Sequence, residues 1–125
     1  MNLSEYFDKV KGTGMLATAG ADGQVDAAVY ARPHFLDEQT VAFIMADKLT
    51  HQNVTANPHA TYAFIEKGQG YEGRRLYLTK VGEETDPDKI EKMRRRPLPP
   101  DCTDEGGPRF LVQFRIDRVR PLVGD

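Results

Sequence analysis

Residues 47–53, which read Asp-Lys-Leu-Thr-His-Gln-Asn, combine residue types that can hold an anion. They follow an apolar run and contain the start of a short predicted helix, and the start of a helix offers free backbone N–H groups and the positive end of its dipole. Lys48 adds a full charge, and Thr50 adds a hydroxyl that can cap the helix or donate to an oxygen. Arg32, at the end of an earlier predicted strand, supplies a guanidinium fork that suits phosphate. An ordinary helix cap with a solvated lysine explains the same pattern, so both interpretations stay open.

A second segment, residues 68–73, matches the glycine pattern G-x-G-x-x-G letter for letter. A dinucleotide-binding loop must follow a strand and open a helix, whereas this segment leads from one predicted strand into another. A kinase glycine loop does join two strands, but the chain contains no H-R-D or D-F-G segment. We therefore predict a flexible hairpin loop.

Few other residues have the spacing that chemistry requires. His34, His51 and His59 have no second ligand at helical spacing and no cysteine pair, so no metal site is predicted. Cys102 is the only cysteine, so an intrachain disulfide is excluded. Its acidic neighbours disfavour a reactive thiolate. Tyr30 is the nearest candidate proton donor to a groove that one face of the second predicted strand is expected to border. No catalytic residue is identified.

Three short helices are predicted. Residues 2–10 place apolar side chains on one face, and Asn2 followed by Glu5 resembles a capping box. Residues 50–57 form the second helix, which Pro58 stops. Asp86 and Pro87 open the third helix as cap and first helical residue. The arginines at its C-terminal end, residues 94–96, follow several acidic residues and are interpreted as part of a solvated helix face. Residues 97–108 are predicted to form a surface loop.

Between the helices the apolar period changes to that of strands. Six strands are predicted, over residues 15–19, 25–35, 41–46, 60–66, 74–81 and 110–117. In the second strand, Val25, Ala27, Val29 and Ala31 are expected to enter the core, while Asp26, Ala28, Tyr30 and Arg32 border a groove. Residues 41–46 are apolar on both faces, as in a strand buried in a sheet. Strands joined by short hairpins favour a closed or partly closed antiparallel barrel over a parallel α/β sheet.

Composition narrows the class of protein. A chain of 125 residues is expected to fold as one domain over 1–125. The net charge of −2 gives no strong field for nucleic acid or an anionic membrane. No apolar run approaches the roughly 20 residues that span a bilayer, and the amphipathic start does not read as a secretory leader. We expect a cytoplasmic protein that binds neither nucleic acid nor membrane.

The order of these elements resembles the FMN-binding split-barrel superfamily, the pyridoxamine 5′-phosphate oxidase-like proteins. The resemblance is carried by residues 28–33, Ala-Val-Tyr-Ala-Arg-Pro, and by residues 48–54, Lys-Leu-Thr-His-Gln-Asn-Val, which run into Asn57-Pro58. It implies a six-stranded antiparallel split β-barrel with Greek-key connections, dominated by strands with short helices. It also implies FMN as the cofactor.

Carried over residue by residue, the resemblance assigns a set of cofactor-binding positions. Those that border FMN are Ala28, Val29, Tyr30, Ala31 and Arg32, those at the phosphate are Lys48, Leu49 and Thr50, and Asn53 supports them. Many relatives have a basic residue where this chain has Thr50, a departure that Lys48 can compensate. Members of the superfamily are usually homodimers with FMN between the subunits, which implies the same assembly here.

The resemblance leaves two kinds of function open. One is a small FMN-dependent oxidoreductase of the pyridoxamine 5′-phosphate oxidase-like type. True oxidase activity on pyridoxamine phosphate is not expected, because residues 115–118 lack the histidine of that enzyme's C-terminal segment and the sequence stops at Asp125. The alternative is an FMN-carrying electron-transfer or storage protein with no organic substrate. The electron donor and acceptor are unknown in both cases.

Overall fold

A computed structural model describes residues 2–93 and 108–124 of the chain. The described residues form helices α1 (Leu3–Lys9), α2 (Leu49–Ala56) and α3 (Pro87–Met93). Their strands are β1 (Gly12–Ala19), β2 (Val25–Tyr30), β3 (His34–Phe35), β4 (Thr40–Ala46), β5 (His59–Glu66), β6 (Gly73–Glu84) and β7 (Arg109–Pro121). The predictions for residues 94–107, including the arginine run and Cys102, lie outside the described residues.

All neighbouring strands are antiparallel and belong to one sheet in the order β2-β1-β5-β6-β7-β4-β3. The sheet curls on itself, and its two edge strands, β2 and β3, are consecutive in the chain but are not paired with each other. β5 pairs with β1 and β7 pairs with β4, so the connections are not those of a simple meander. The predicted antiparallel split barrel is confirmed.

The described strands number seven rather than six, because the predicted strand over residues 25–35 is divided into β2 and β3. Pro33 lies in the break, is buried, and has no backbone N–H to offer a neighbouring strand. Just before it, the carbonyls of Tyr30 and Ala31 accept from the Tyr62 hydroxyl at 3.2 and 3.1 Å. A side chain therefore supplies the partner at the point where the barrel splits.

The predicted orientation of β2 is wrong. Ala28 pairs with Leu16, which is fully buried, so Asp26, Ala28 and Tyr30 face inward. Val25 and Val29 lie on the outer face and are 71% and 70% exposed. Alternation distinguishes two faces of a strand but does not say which is inside, and here the buried face of β1 decides.

The barrel interior is dominated by aromatic side chains. Phe7 of α1 packs edge-on against Phe64, with ring centroids 5.0 Å apart, and Phe43 packs against Tyr62 at 5.1 Å. Tyr30 joins this cluster through an edge-to-face contact with Phe43. The inward face of β2 is therefore tied to the core on one side.

β4 is buried as its apolar pattern predicts. One of its faces packs in the barrel core and the other packs against a helix. Val41, Phe43 and Met45 enter the barrel core, whereas Ala42 packs outside it with Ile90 of α3. α3 therefore covers part of the outer face of β4, which explains an apolar residue at every position from 41 to 46.

The local signals at the helix ends and at the glycine-rich loop are confirmed. The Asn2 side chain accepts from the Glu5 N–H at 2.9 Å, and the Asp86 side chain accepts from the Asp88 N–H at 2.9 Å. Residues 67–72 join β5 to β6 as a hairpin loop. Among the described residues, no helix has the length and apolar character needed to cross a membrane.

Candidate functional site

The turn between β4 and α2 presents several hydrogen-bond donors at one place. Lys48 is the N-cap of α2 and is extended, and its side chain makes no capping bond. The first helical bond runs from the Gln52 N–H to the Lys48 carbonyl at 3.0 Å, so the N–H groups of residues 49–51 have no acceptor within the helix. Within residues 2–93 and 108–124, Lys48 is exposed and has no ion-pair partner. This end of α2 is suited to an anion.

β2 and α2 meet at Tyr30 and Thr50. Their side chains lie close enough for the Thr50 hydroxyl to donate toward the Tyr30 oxygen, and Thr50 is buried. Burial raises the pKa of Tyr30, an effect that the bond with Thr50 opposes and the nearby Asp26 carboxylate reinforces. The phenol therefore stays protonated at neutral pH. The structure brings together the two segments that the sequence assigns to one site.

Asn53 holds α2 against β1 rather than facing the turn. Its side-chain N–H donates to the Thr18 hydroxyl at 3.1 Å, and both residues are buried. The side-chain amide of Asn53 is thus used within the fold.

Arg32 has a structural role that the sequence did not indicate. Its Nη1 donates to the Phe7 carbonyl at 2.6 Å and to the Asp8 carbonyl at 3.3 Å. These carbonyls belong to the last turn of α1, where a cation is favoured by the helix dipole. A contact of Arg32 with phosphate would have to compete with these bonds.

The remaining predicted positions divide between the two faces of the fold. Ala28 is half-buried on the inner side of β2, on the same face of the strand as Tyr30. Val29 and Ala31 are exposed on the outer side, and Leu49 is 52% exposed at the start of α2. On one chain, the inner side of β2 and the start of α2 form the candidate site, and Val29 and Ala31 do not face it.

A buried histidine between two partly exposed carboxylates, next to this turn, was missed by the sequence analysis. His51 of α2 is only 9% exposed, and its ring nitrogens lie 3.3 Å from an Asp47 oxygen and 3.0 Å from a Glu83 oxygen. The spacing of Asp47 and His51, four residues apart at a helix start, is a local signal that could have indicated half of the cluster. Glu83 lies 32 residues from His51, and no sequence pattern connects the two.

A second polar group lies on the outer face of the sheet, in a groove of about 410 Å³ floored by small side chains of β1. There Thr79 donates to Asp117 and contacts the His59 Nδ1 at 3.3 Å. The hydrogen bond from Thr79 and a second from Arg115 hold the pKa of Asp117 below its usual range. This groove is separate from the turn before α2.

The fold recurs among solved structures, 33 chains of which match. HupZ of Group A Streptococcus is 21% identical with a TM-score of 0.72, and the match covers 98% of this chain and 94% of that one. An F420 reductase is 22% identical with a TM-score of 0.67, covering 93% and 94% of the two chains. An FMN-binding protein from Syntrophomonas wolfei is 16% identical with a TM-score of 0.70, covering 97% and 84%.

Further similar structures bear names of the pyridoxamine 5′-phosphate oxidase group. At these identities the likeness is one of fold. No protein-family model matches the sequence, and no curated protein matches it. Since proteins with different names share this fold, the ligand has to be argued from the residues of the site.

Proposed function

We propose that this chain, which has the split-barrel fold found in FMN-binding and pyridoxamine 5′-phosphate oxidase-like proteins, is itself a small FMN-binding protein. The observation that carries the proposal is the contact between Tyr30 of β2 and Thr50 of α2. It places a strand proposed to border the flavin beside a helix start proposed to hold the phosphate.

The donor groups at the turn fit a phosphate. Three helix N–H groups without an acceptor in the helix and the Lys48 ammonium are available in one short segment, beside the Thr50 hydroxyl. The nearest carboxylate in sequence, Asp47, is bound by His51. Donors outnumber free acceptors at this position, as an anion site requires.

The residues of the chain would bind and orient the cofactor. Lys48, Leu49 and Thr50 would hold its phosphate, with Asn53 supporting the helix and Arg32 as a further candidate. Ala28, Val29, Tyr30 and Ala31 would border the ring, Ala28 through its small size and Val29 and Ala31 toward a second subunit. FMN itself supplies the electron chemistry, while the protein tunes it through nearby hydrogen bonds and charge.

The proposal extends to assembly and class of activity. We infer a single-domain, cytoplasmic homodimer that acts as a flavin-dependent oxidoreductase, with an electron-transfer or storage protein as the second candidate. An organic substrate that changes the rate of flavin reduction or reoxidation would favour the enzyme. Electron exchange only with protein or small redox partners would favour the carrier. True pyridoxamine 5′-phosphate oxidase activity is expected to be absent, and peroxide release from pyridoxamine phosphate by FMN-loaded protein would contradict this.

The test compares FMN with riboflavin, which lacks the phosphate, by fluorescence quenching. Wild type should bind FMN far more tightly. Lys48→Ala should weaken FMN binding about ten-fold, because a charge-assisted contact is worth roughly 1.5–3 kcal/mol, and should leave riboflavin binding nearly unchanged. Lys9→Ala, an exposed lysine of α1, is the matched control. Equal affinity of wild type for the two flavins would overturn the phosphate site.

Arg32→Ala separates two roles of that residue. If the guanidinium acts only at the end of α1, the variant should lose stability and bind both flavins equally less well. A selective loss of FMN affinity would place Arg32 at the phosphate.

A further inference from the structure

His51 lies between two carboxylates. Its Nδ1 is 3.3 Å from Asp47 Oδ1 and its Nε2 is 3.0 Å from Glu83 Oε1. The ring stacks on Phe110 of β7 with centroids 3.8 Å apart and an angle of 8° between planes. Both nitrogens of a nearly buried imidazole are therefore directed at acidic oxygens.

The numbers of donors and acceptors around His51 indicate its protonation state. An ionised carboxylate only accepts, and a neutral imidazole has one N–H, so a neutral ring would turn a lone pair toward one of the two carboxylates. Partial burial raises the pKa of Glu83, but hydrogen bonds from Lys80 and His51 outweigh it and hold that pKa below its usual range. Lys80 Nζ lies 2.9 Å from the same Glu83 oxygen. The side chain of Asp47 is 54% exposed to solvent.

We propose that His51 is held as an imidazolium bridge between Asp47 and Glu83 and that it is a positioning residue for the turn before α2. The stacked Phe110 ring favours the charged form through its negative face. The charged groups that face the ring are Asp47 from the turn and Glu83 from β6, with Lys80 behind Glu83.

The bridge has two consequences for the anion site, and this part of the inference rests on the proposed function. The bond to Glu83 fixes the first turn of α2 to the sheet. The bond to Asp47 compensates a negative charge one residue before Lys48 and keeps that carboxylate bonded toward the ring. Without the cation, the Asp47 carboxylate would compete with a bound phosphate for the donors of the turn.

Ring NMR on protein labelled with ¹⁵N in histidine tests the charge state directly, with no flavin added. At pH 7 the His51 nitrogens should both show the signature of protonated nitrogen. A single protonated nitrogen, the signature of a neutral tautomer, would overturn the bridge. Glu83→Gln should weaken the doubly protonated signature of this ring at pH 7, while His59→Gln, which removes an exposed histidine elsewhere, should leave it unchanged.

Binding assays test the positioning role. His51→Gln should weaken FMN binding about five-fold, with a smaller effect on riboflavin. The double variant Asp47→Asn/His51→Gln should recover most of the lost affinity, because it removes the uncompensated charge; a purely structural role of His51 would give no such rescue. Unchanged FMN affinity in His51→Gln, or no rescue, would contradict the role.

If wild type binds no FMN, the proposed function is wrong, but the inference about His51 can still be tested. The backbone amide NMR shifts of residues 48–50 in His51→Gln then decide whether His51 positions the turn. Displaced amides support it and unchanged amides contradict it. If His51→Gln does not fold, Glu83→Gln, which removes one of the two carboxylates that hold the ring, carries the same measurements and should also displace the amides of residues 48–50.

Discussion

Position 14 has no side chain because the phenol of Tyr62 occupies the space where one would lie. A Cβ built on Gly14 would be 1.8 Å from the Tyr62 hydroxyl oxygen, which cannot retreat while it donates to the carbonyls of Tyr30 and Ala31. The glycine, the tyrosine and the split between β2 and β3 therefore form one unit.

Gly14→Ala is expected to destabilise the fold by about 1–3 kcal/mol, the cost of forcing atoms into a packed core. Urea unfolding measures the change, with Gly70→Ala as the control, since a Cβ at position 70 meets only the Glu72 side chain at 3.7 Å. A Gly14→Ala variant as stable as Gly70→Ala would contradict the packing described for Tyr62.

Tyr6 makes the free energy of unfolding depend on pH in the alkaline range. Its pKa is raised by burial, then by the hydrogen bond that it donates to Glu66 and by that residue's charge. The unfolded chain releases this proton near pH 10, while the folded chain keeps it, so the free energy of unfolding falls as pH rises above about 10. The contribution is fully present below that pH.

Unfolding of wild type and Tyr6→Phe by urea at pH 8 and pH 10.5 tests this. The wild type should lose more stability between the two pH values than the variant, which has no proton to release at position 6. Equal losses in both proteins would show that Tyr6 does not cause the alkaline destabilisation.

At the scale of elements, α2 is attached to the sheet by few polar contacts. The Asn53–Thr18 hydrogen bond is buried and links α2 to β1 across 35 residues of sequence. Asn53→Ala should therefore cost about 1–3 kcal/mol, because it leaves the Thr18 hydroxyl without its partner. Gln52→Ala, on the exposed side of the same helix, is the control, and both can be compared by thermal unfolding. Equal midpoints would mean that the bond contributes nothing.

The elements that sequence reasoning placed well are those with local causes. The Asn2 cap, the Asp86 cap and the hairpin loop at residues 67–72 depend on side chains within a few positions of each other. The face of β2 was predicted wrongly because it depends on pairing with Leu16 of another strand. The division of β2 from β3 depends on Tyr62, which lies about thirty residues further along the chain.

The same distinction applies to the candidate site. Lys48 and Thr50 could be identified from the sequence because a helix start has a local signature. The bonds of Arg32 to α1 and of His51 to Glu83 could not, since each joins elements that become neighbours only when the barrel forms. The contacts that decide the charge balance of the site are those of the tertiary structure.

At the scale of the whole molecule, the outer face of β2, β1 and β5 is unusually apolar. Val29 pairs with Met15 and Ala27 with Ala17 on this face, next to the edge of the sheet. Val25 and Val29 are 71% and 70% exposed, and Ile65 of β5 is 39% exposed. An apolar surface on an edge strand whose outer face carries no charged side chain is typical of an interface.

We expect a second copy of the chain to cover this face. Val29→Lys should then turn the dimer into a monomer, because it introduces a charge at the centre of the apolar surface. Val81→Lys is the matched control, since Val81 is 52% exposed on β6 beyond the residues that pair with β5. Light scattering after size-exclusion chromatography, at micromolar concentration, gives the masses. Wild type should run at twice the 14.0 kDa chain mass and Val29→Lys at the chain mass, while a monomeric wild type would contradict the interface.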